Sequence, residues 1–368
     1  MTPAVYIRDV EQLRRALEVA ARSDFIALDT EFMRERTYFA KLCLVQAATD
    51  DICVLIDPLA LTDLTPLHQF LADTSRVKVL HAARQDLEVL SQHGGTLPEP
   101  VFDTQTAAGL LGFTAQIGYA EVVSKRLGVA LAKGHARADW TARPLSTEQI
   151  EYAADDVRYL VPLYKDLKAA LESLERLPWL QEDMRLLQNP ALYRTQPLQA
   201  WQRLRGLEQL SAQQRGAAKS LARWREEQAI ARDRPRAWIL PDDALRSMAE
   251  QLPATEAGLS KIGALPNGTV DKRGAQLLEA IRTGVENSGG EAPAFPPARA
   301  DKAQLAQISA LMALVRDAAV RLQISPELLA TRRDIEQFVF TGRLGNPAQG
   351  WRKAVIGNAL MGQAVAVN

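Results

Sequence analysis

Three separated stretches of the chain place acids at strand ends and in the early turns of helices. In "FIALDTEF", Asp29 and Glu31 stand two apart at the end of an apolar run. Side chains alternate along a strand, so both carboxylates point to one side. In "VLHAARQDLEVL", Asp86 falls in the first turn of a helix that follows a short strand. In "YAADDVRYL", Tyr152 stands three residues before Asp155 and four before Asp156. Both spacings return to the tyrosine's face of a helix, so periodicity leaves the choice between the two aspartates open.

Each feature alone has an ordinary explanation: a solvated turn, an acid favoured by the helix dipole, a phenol hydrogen-bonded to a carboxylate. As a set they ask for more. Like-charged carboxylates brought to one place repel unless a cation bridges them or a proton neutralises one. Hard divalent ions need several oxygen ligands, and two of them would balance four carboxylates. An apolar strand ending in acids also suits an ATPase, but that chemistry needs a phosphate-cradling glycine loop ending in Gly-Lys-Ser/Thr. "GAAKS" (216–220) lacks the second glycine.

The elements that must position these groups are legible in outline. "FIALD" (25–29), "LCLVQAA" (42–48) and "ICVLI" (52–56) predict an antiparallel meander, and "VKVL" (77–80) a further strand. Helices are expected near 63–73, 84–92, 104–111 and 119–127, which makes an α/β domain with a mixed sheet. Ser146 with Gln149 three residues on is a capping box opening a helix that runs to about 174, kinked or divided by Pro162. Beyond "QNPALYRTQP" (188–197) strand signals vanish and the chain becomes Arg-rich, Ala/Leu-rich and helical, divided by the Gly/Pro stretch "ENSGGEAPAFPPARA" (286–300). "ILPDDAL" (239–245) and "ISPELLA" (324–330) share Ile-x-Pro, an acid and a leucine, which suggests a repeated unit.

Four segments carry a family resemblance. "LDTEFMRERTYFAKLCLVQ", "VLHAARQDLEVL", "DWTARPLS" and "YAADDVRYLVPLY" resemble the ribonuclease D family, in the tyrosine-bearing branch of the DEDD exonuclease superfamily, and the likeness spans essentially the whole chain. It implies an RNase H-like α/β exonuclease domain with a mixed sheet at 1–190, then two small all-α HRDC-type domains at 201–286 and 302–368 joined by a linker at 287–301. It also implies a metal-dependent 3′→5′ exoribonuclease that trims tRNA precursors and other small structured RNAs and releases nucleoside 5′-monophosphates. Two divalent ions, Mg²⁺ or Mn²⁺, would be held by Asp29, Glu31, Asp86 and Asp156. Asp29 would bridge both ions, Glu31 and Asp156 would hold the one on the side of the attacking water, and Asp86 would help hold the other. The family's spacing selects Asp156 over Asp155. Tyr152 would orient the attacking water, since a phenol with a pKa near 10 is a poor base.

Phe32 and Met33, beside the acids, are candidates to stack on a terminal base, and Arg34, Arg36 and Tyr38 in the following loop to meet phosphate or base. Trp140 and Pro144 in "DWTARPL" (139–145) are candidates to buttress the catalytic helix. Lys+Arg and Asp+Glu both total 44, so the whole chain has no net attraction for a polyanion. Residues 202–236, however, hold nine Lys/Arg against four Asp/Glu, a local excess that suits RNA phosphates. The N-terminal stretch has no secretory signal pattern and no apolar run suits a membrane, so a cytoplasmic chain is expected with no obligatory protein partner. Cys43 and Cys53 read as buried free thiols. The competing expectations are a DNA-directed exonuclease of the same superfamily and an RNA-binding protein with a decayed site. The absence of a polymerase or helicase region argues against the first, and the complete set of five residues against the second.

Overall fold

A computed structural model describes residues 2–132, 134, 138–266, 268–289 and 300–365, with residues 364 and 365 as backbone only; most of the expected linker, 290–299, lies outside the described residues. Two compact units emerge. One comprises Met1–Met33, Lys41–Tyr193 and Ala300–Asn368, and the other Arg34–Ala40 with Arg194–Arg299.

The first unit is built on a six-stranded mixed sheet in the order β1-β4-β3-β2-β5-β6. The expected meander is present as β2 (Phe25–Met33), β3 (Lys41–Ala48) and β4 (Cys53–Ile56), paired antiparallel. β5 (Val77–Leu80) lies parallel to β2, β6 (Val101–Asp103) parallel to β5, and β1 (Ala4–Ile7) parallel to β4. β3 is buried at every position after Lys41, which is why it reads as a continuous apolar run. The edge strands β1 and β6 were not expected; β6, with three residues, is too short for any period. The first helix, α1 (Val10–Ala20), capped by Asp9, was not expected either.

α2 (Thr65–Ala72), α3 (Arg84–Gly94), α4 (Thr104–Leu110) and α5 (Tyr119–Leu127) fall where the pattern placed them. The Ser146 capping box closes reciprocally: Gln149 N donates to Ser146 Oγ at 3.2 Å, and Ser146 N to Gln149 Oε1 at 2.9 Å. It opens α6 (Thr147–Arg158), and the chain then breaks at Tyr159 before α7 (Leu160–Ser173). Pro162 therefore sits in the first turn of α7, where its missing N–H costs nothing. α8 (Leu177–Leu187) completes this part of the unit.

The second unit is helical: α9 (Ala212–Arg232), α10 (Arg236–Ile239), α11 (Asp242–Gln251), α12 (Glu256–Leu259) and α13 (Thr269–Glu286). α9 and α13 touch backbone to backbone, since a Cβ on Gly216 would lie 2.1 Å from the Gly284 carbonyl oxygen. The segment after β2 belongs here. Tyr38 is buried, and its hydroxyl donates to Glu226 Oε1 at 2.5 Å; Arg236 and Arg203 bond the same carboxylate. The backbone N–H groups of Tyr38 and Phe39 both donate to Asp233 Oδ1, at 2.9 and 3.0 Å. Tyr38 thus anchors the loop and offers nothing to phosphate or base, contrary to the reading from sequence. Much of the local basic excess is also engaged internally: Arg203, Arg223, Arg225 and Arg236 are all in ion pairs.

The C-terminal segment repeats the first part of the helical unit in a register offset by 90 residues. α14 (Lys302–Leu322), α15 (Pro326–Leu329) and α16 (Arg332–Thr341) match α9, α10 and α11 in length and spacing. Capping boxes open both long helices, Ser211 with Gln214 and Asp301 with Gln304. Left-handed residues, Asp233 at φ 45° and Gln323 at φ 51°, close them. The Ile-x-Pro echo is therefore five residues out of register: Pro241 precedes α11, whereas Pro326 opens α15. The short α17 (Gly350–Arg352) and α18 (Asn358–Val365) finish the chain.

This second copy packs within the first unit. Arg352 pairs with Asp183 at 2.5 and 2.9 Å, both side chains nearly inaccessible, and the Trp351 indole stacks on Trp179 with centroids 4.5 Å apart. Arg176 donates to the carbonyls of Leu110 and Leu322 at 2.6 and 2.5 Å, joining α4 to the end of α14. Removing one partner from a buried ion pair strands the other, at about 3–5 kcal/mol. Arg352→Ala is accordingly expected to lower stability by that amount in urea titrations, with Arg332→Ala, an exposed pair to Glu336, changing it by less than about 1 kcal/mol.

Candidate active site

β2 carries the first two acids, and a β-bulge between Glu31 and Phe32 interrupts its pairing with β3 directly after them. Bulges re-aim the side chains beside them. Asp29 and Glu31 share one face of the sheet, while Thr30 points to the other and donates to Asp86 Oδ1 at 2.5 Å. Asp86 is buried in the first turn of α3. From α6, Asp156 joins the pair on β2: one carboxylate oxygen from each of Asp29, Glu31 and Asp156 lies within 4.8 Å of the others. Asp86 stands outside this triplet, with one oxygen engaged by Thr30.

The electrostatics follow from crowding. Burial, then the charges of Asp86, Asp156 and Glu31, holds Asp29 well above the usual carboxylate range. Burial with Asp156 and Asp86 pushes Glu31 up to about 8. Burial raises Asp156 to about 7 and Asp86 to about 6, partly offset by hydrogen bonds from Tyr152 and Thr30 respectively. Every charged neighbour among the principal influences on these four acids is another acid. Oxygen-only donors, close together and short of positive charge, fit a hard divalent cation.

Tyr152 hydrogen-bonds Asp156, and burial together with the surrounding carboxylates raises its phenol pKa further. It stays protonated. Tyr119 donates to the Asp155 carbonyl oxygen at 3.0 Å and is raised in the same way. Asp155 itself turns to Arg158, 3.2 Å away. Tyr119, Leu131, Gly134, Tyr152 and Asp156 line a cleft of about 590 Å³ beside the acids. Phe32 and Met33 close β2, half-buried, and Arg34 and Arg36 are exposed in the loop that follows.

Two clamps hold this constellation from outside it. Asp103 accepts from the backbone N–H groups of Ala82 and Ala83 at 3.1 and 3.0 Å, fixing the approach to α3 where Ala82 is left-handed at φ 57°. The same carboxylate caps α4 through Gln105 N and Thr106 N. Arg143 binds both oxygens of Asp57 at 2.7 Å and donates to the carbonyls of Cys43, Trp140 and Ala142, each at 2.8 Å. Trp140, thus fixed and fully buried, lies beside Tyr152 with ring centroids 6.2 Å apart. Asp103, Asp57 and Arg143 went unremarked in the sequence; an Asp before a helical run signals a cap, but nothing local signals the second grip.

Because Glu31, Asp86 and Asp156 have folded pKa values above their unfolded ones, these groups bind more protons in the folded chain than in the unfolded one between about pH 4 and about pH 8, opposed below about pH 6.5 by His68, His81 and His93, which burial lowers. The three acids therefore cost stability progressively as pH rises through that window. Thermal melts in EDTA are expected to lose midpoint from about pH 5 to about pH 8, and Asp29→Asn to flatten the decline. Mg²⁺ or Mn²⁺ should raise the midpoint, more at the higher pH, since binding needs deprotonated carboxylates.

Comparisons with known proteins agree with this architecture. Residues 4–172 match the 3'-5' exonuclease family model, and residues 214–281 the HRDC domain model. The chain is 37% identical to ribonuclease D of Granulibacter bethesdensis, over 94% of this chain and 89% of the relative. It is also 37% identical to ribonuclease D of Acidiphilium cryptum, over 96% and 91%. Among solved structures, Escherichia coli RNase D, described as an exoribonuclease involved in structured RNA processing, superposes with a TM-score of 0.87 at 32% identity over 99% of both chains. The catalytic core of RRP6 from Trypanosoma brucei covers 78% of this chain with a TM-score of 0.60 at 25% identity.

Proposed function

Because this chain belongs to the ribonuclease D family and is a 3′-5′ exoribonuclease, we propose that it trims the 3′ ends of tRNA precursors and other small structured RNAs by two-metal hydrolysis, in the cytoplasm where those precursors are made. The observation that carries this reading is the meeting of Asp29 and Glu31 from β2 with Asp156 from α6, beside a cleft and with Asp86 of α3 near enough for its charge to act on Asp29.

Asp29, Glu31 and Asp156, with Asp86 from the opposite side, would hold two Mg²⁺ or Mn²⁺ ions. Bound there, the ions would supply Lewis-acid stabilisation of the phosphate and a more acidic water. Tyr152, kept protonated by its surroundings, would orient that water rather than remove its proton. Water adds to phosphorus and the O3′–P bond breaks. The 3′ oxygen leaves as the alcohol of the shortened RNA, and the terminal residue departs as its 5′-monophosphate. The Tyr119 and Leu131 wall of the cleft, with Phe32 and Met33, would take the terminal nucleotide, and Arg34 would meet its phosphate.

The domain division at 1–190, 201–286, 287–301 and 302–368 belongs to the same proposal, with 302–368 as a second HRDC-type domain. RNA binding by the first helical domain is supported by exposed Arg205, Arg232 and Arg234, and by Trp238, 55% exposed under the Arg234 guanidinium. Phosphate contacts of this kind are salt-dependent.

The decisive assay follows 5′-mononucleotide release from a 3′-extended tRNA and from a single-stranded DNA of equal length, with and without Mg²⁺ or Mn²⁺. Asp29→Asn and Asp156→Asn are expected to lower the rate on RNA by more than about 100-fold, beyond what loss of an outer hydrogen-bond partner costs; Asp155→Asn should be close to wild type. Activity confined to DNA would move the enzyme to a proofreading-like role, and tRNA binding without release would leave the helical domain as its working part. In a parallel measurement, Arg232→Ala with Arg234→Ala should raise KM for tRNA and flatten its salt dependence, with turnover of a short RNA unchanged.

A further inference from the structure

Gln46 is an amide set into the sheet beside the acids. It lies on β3 directly opposite Asp29 in the antiparallel β2–β3 pair, and opposite Leu55 on its other side. Facing residues in such a pair project from the same face with Cβ atoms about 4.5–5.5 Å apart. Asp156 meets Asp29 from α6, so this is the face that α6 covers. Gln46 is completely buried there, and neither its Nε2 nor its Oε1 has a hydrogen-bond partner among the described residues.

An amide buried without a partner costs free energy that an apolar side chain of similar size avoids. Its neighbours on this face, Leu44 opposite Glu31 and Leu55 on β4, show what ordinary packing uses here. The group that pairs across from it is the Asp29 carboxylate, which takes a backbone hydrogen bond from Thr30 and otherwise faces other acids. A donor behind a metal-holding carboxylate fixes which of its oxygens faces the cation, and an ionised acceptor makes that bond about twice as strong as a neutral one.

We propose that Gln46 is a positioning residue for Asp29: its amide N–H group donates to the ionised carboxylate, directly or through one water, and sets that carboxylate's orientation toward bound cations. The proposal rests on the two-metal reading of the site. Gln46 never touches substrate and acts only through Asp29.

The test compares the full-length wild type with Gln46→Leu and with Gln46→Met, the unbranched alternative should leucine disturb the sheet. Thermal melts are recorded in EDTA and across a titration of Mn²⁺ alone. Steady-state kinetics on a short single-stranded RNA are measured at low and high cation concentration. The Gln46→Leu midpoint in EDTA should equal or exceed the wild-type value, because an unpaired buried amide is gone. The Mn²⁺ concentration for half-maximal stabilisation should rise about 10–100-fold. kcat should fall at low cation and recover at high cation, with KM for RNA unmoved. An unaltered Mn²⁺ titration and unaltered kcat in a folded variant would overturn the proposal while leaving the two-metal reading intact. A wild type that Mn²⁺ does not stabilise would overturn both. Loss of the fold in both variants would give Gln46 a packing role and likewise overturn it.

Discussion

Crowding of negative charge at the end of one central strand is the constraint around which this fold is arranged. Asp29, Glu31, Asp86 and Asp156 are held in a partly dry pocket, and burial first, with neighbouring acids adding to it, shifts all four carboxyls upward. Without cations, part of the charge is suppressed by protons. With them, the same carboxylates become ligands whose mutual repulsion is the attraction felt by the ion. A scaffold carrying such a site must be stable from other sources. Here these are the apolar strands buried on both faces, the helices packed on them, and the C-terminal helices joined through Arg352, Trp351 and Arg176.

The clamps express the same constraint at longer range. Repelling groups hold their positions only if the backbone beneath them is fixed by interactions that do not involve them. Asp103 grips the entrance to α3 through two amide N–H groups, and Arg143 ties the Trp140 loop to Asp57 just after β4. Thr30 and Tyr152 then do the fine work, each hydrogen-bonding one carboxylate. Tyr152 suits this because its neighbours keep the phenol protonated; an ionised phenolate would add a fifth repelling charge.

Much of this was legible in the sequence, because the signals are local. Acids two apart on a strand, an acid in a first helical turn, and a tyrosine with aspartates at helical spacing can each be read from a dozen residues. The capping box at Ser146 and the helix break just before Pro162 are local as well. What escaped was non-local. Tyr38 and Glu226 are 188 positions apart, and Arg143 and Asp57 are 86 apart. No periodicity links such partners, so Tyr38 was read as a surface contact when it is a buried anchor. The edge strands β1 and β6, of four and three residues, escaped as well, β6 being too short to show alternation.

The helical repeat shows how residue identity misleads where conformation does not. The Ile-x-Pro echo relies on prolines, yet proline suits both the residue before a helix and its first turn, so matching prolines slips the register. The features common to both copies are a capping box, a helix of fixed length and a left-handed residue to end it, supplied by Ser or Asp at the start and Asp or Gln at the end. Once the register is corrected, the differences become informative. Buried Arg225 and Glu226 of the first copy correspond to Val315 and Arg316 of the second. The first copy therefore has the carboxylate that accepts the Tyr38 hydroxyl. The second has at that position a residue of opposite charge, with an apolar neighbour in its core. One helical frame thus receives the loop that continues from the catalytic strand, whereas the segment that follows the other packs through Trp351 and Arg352.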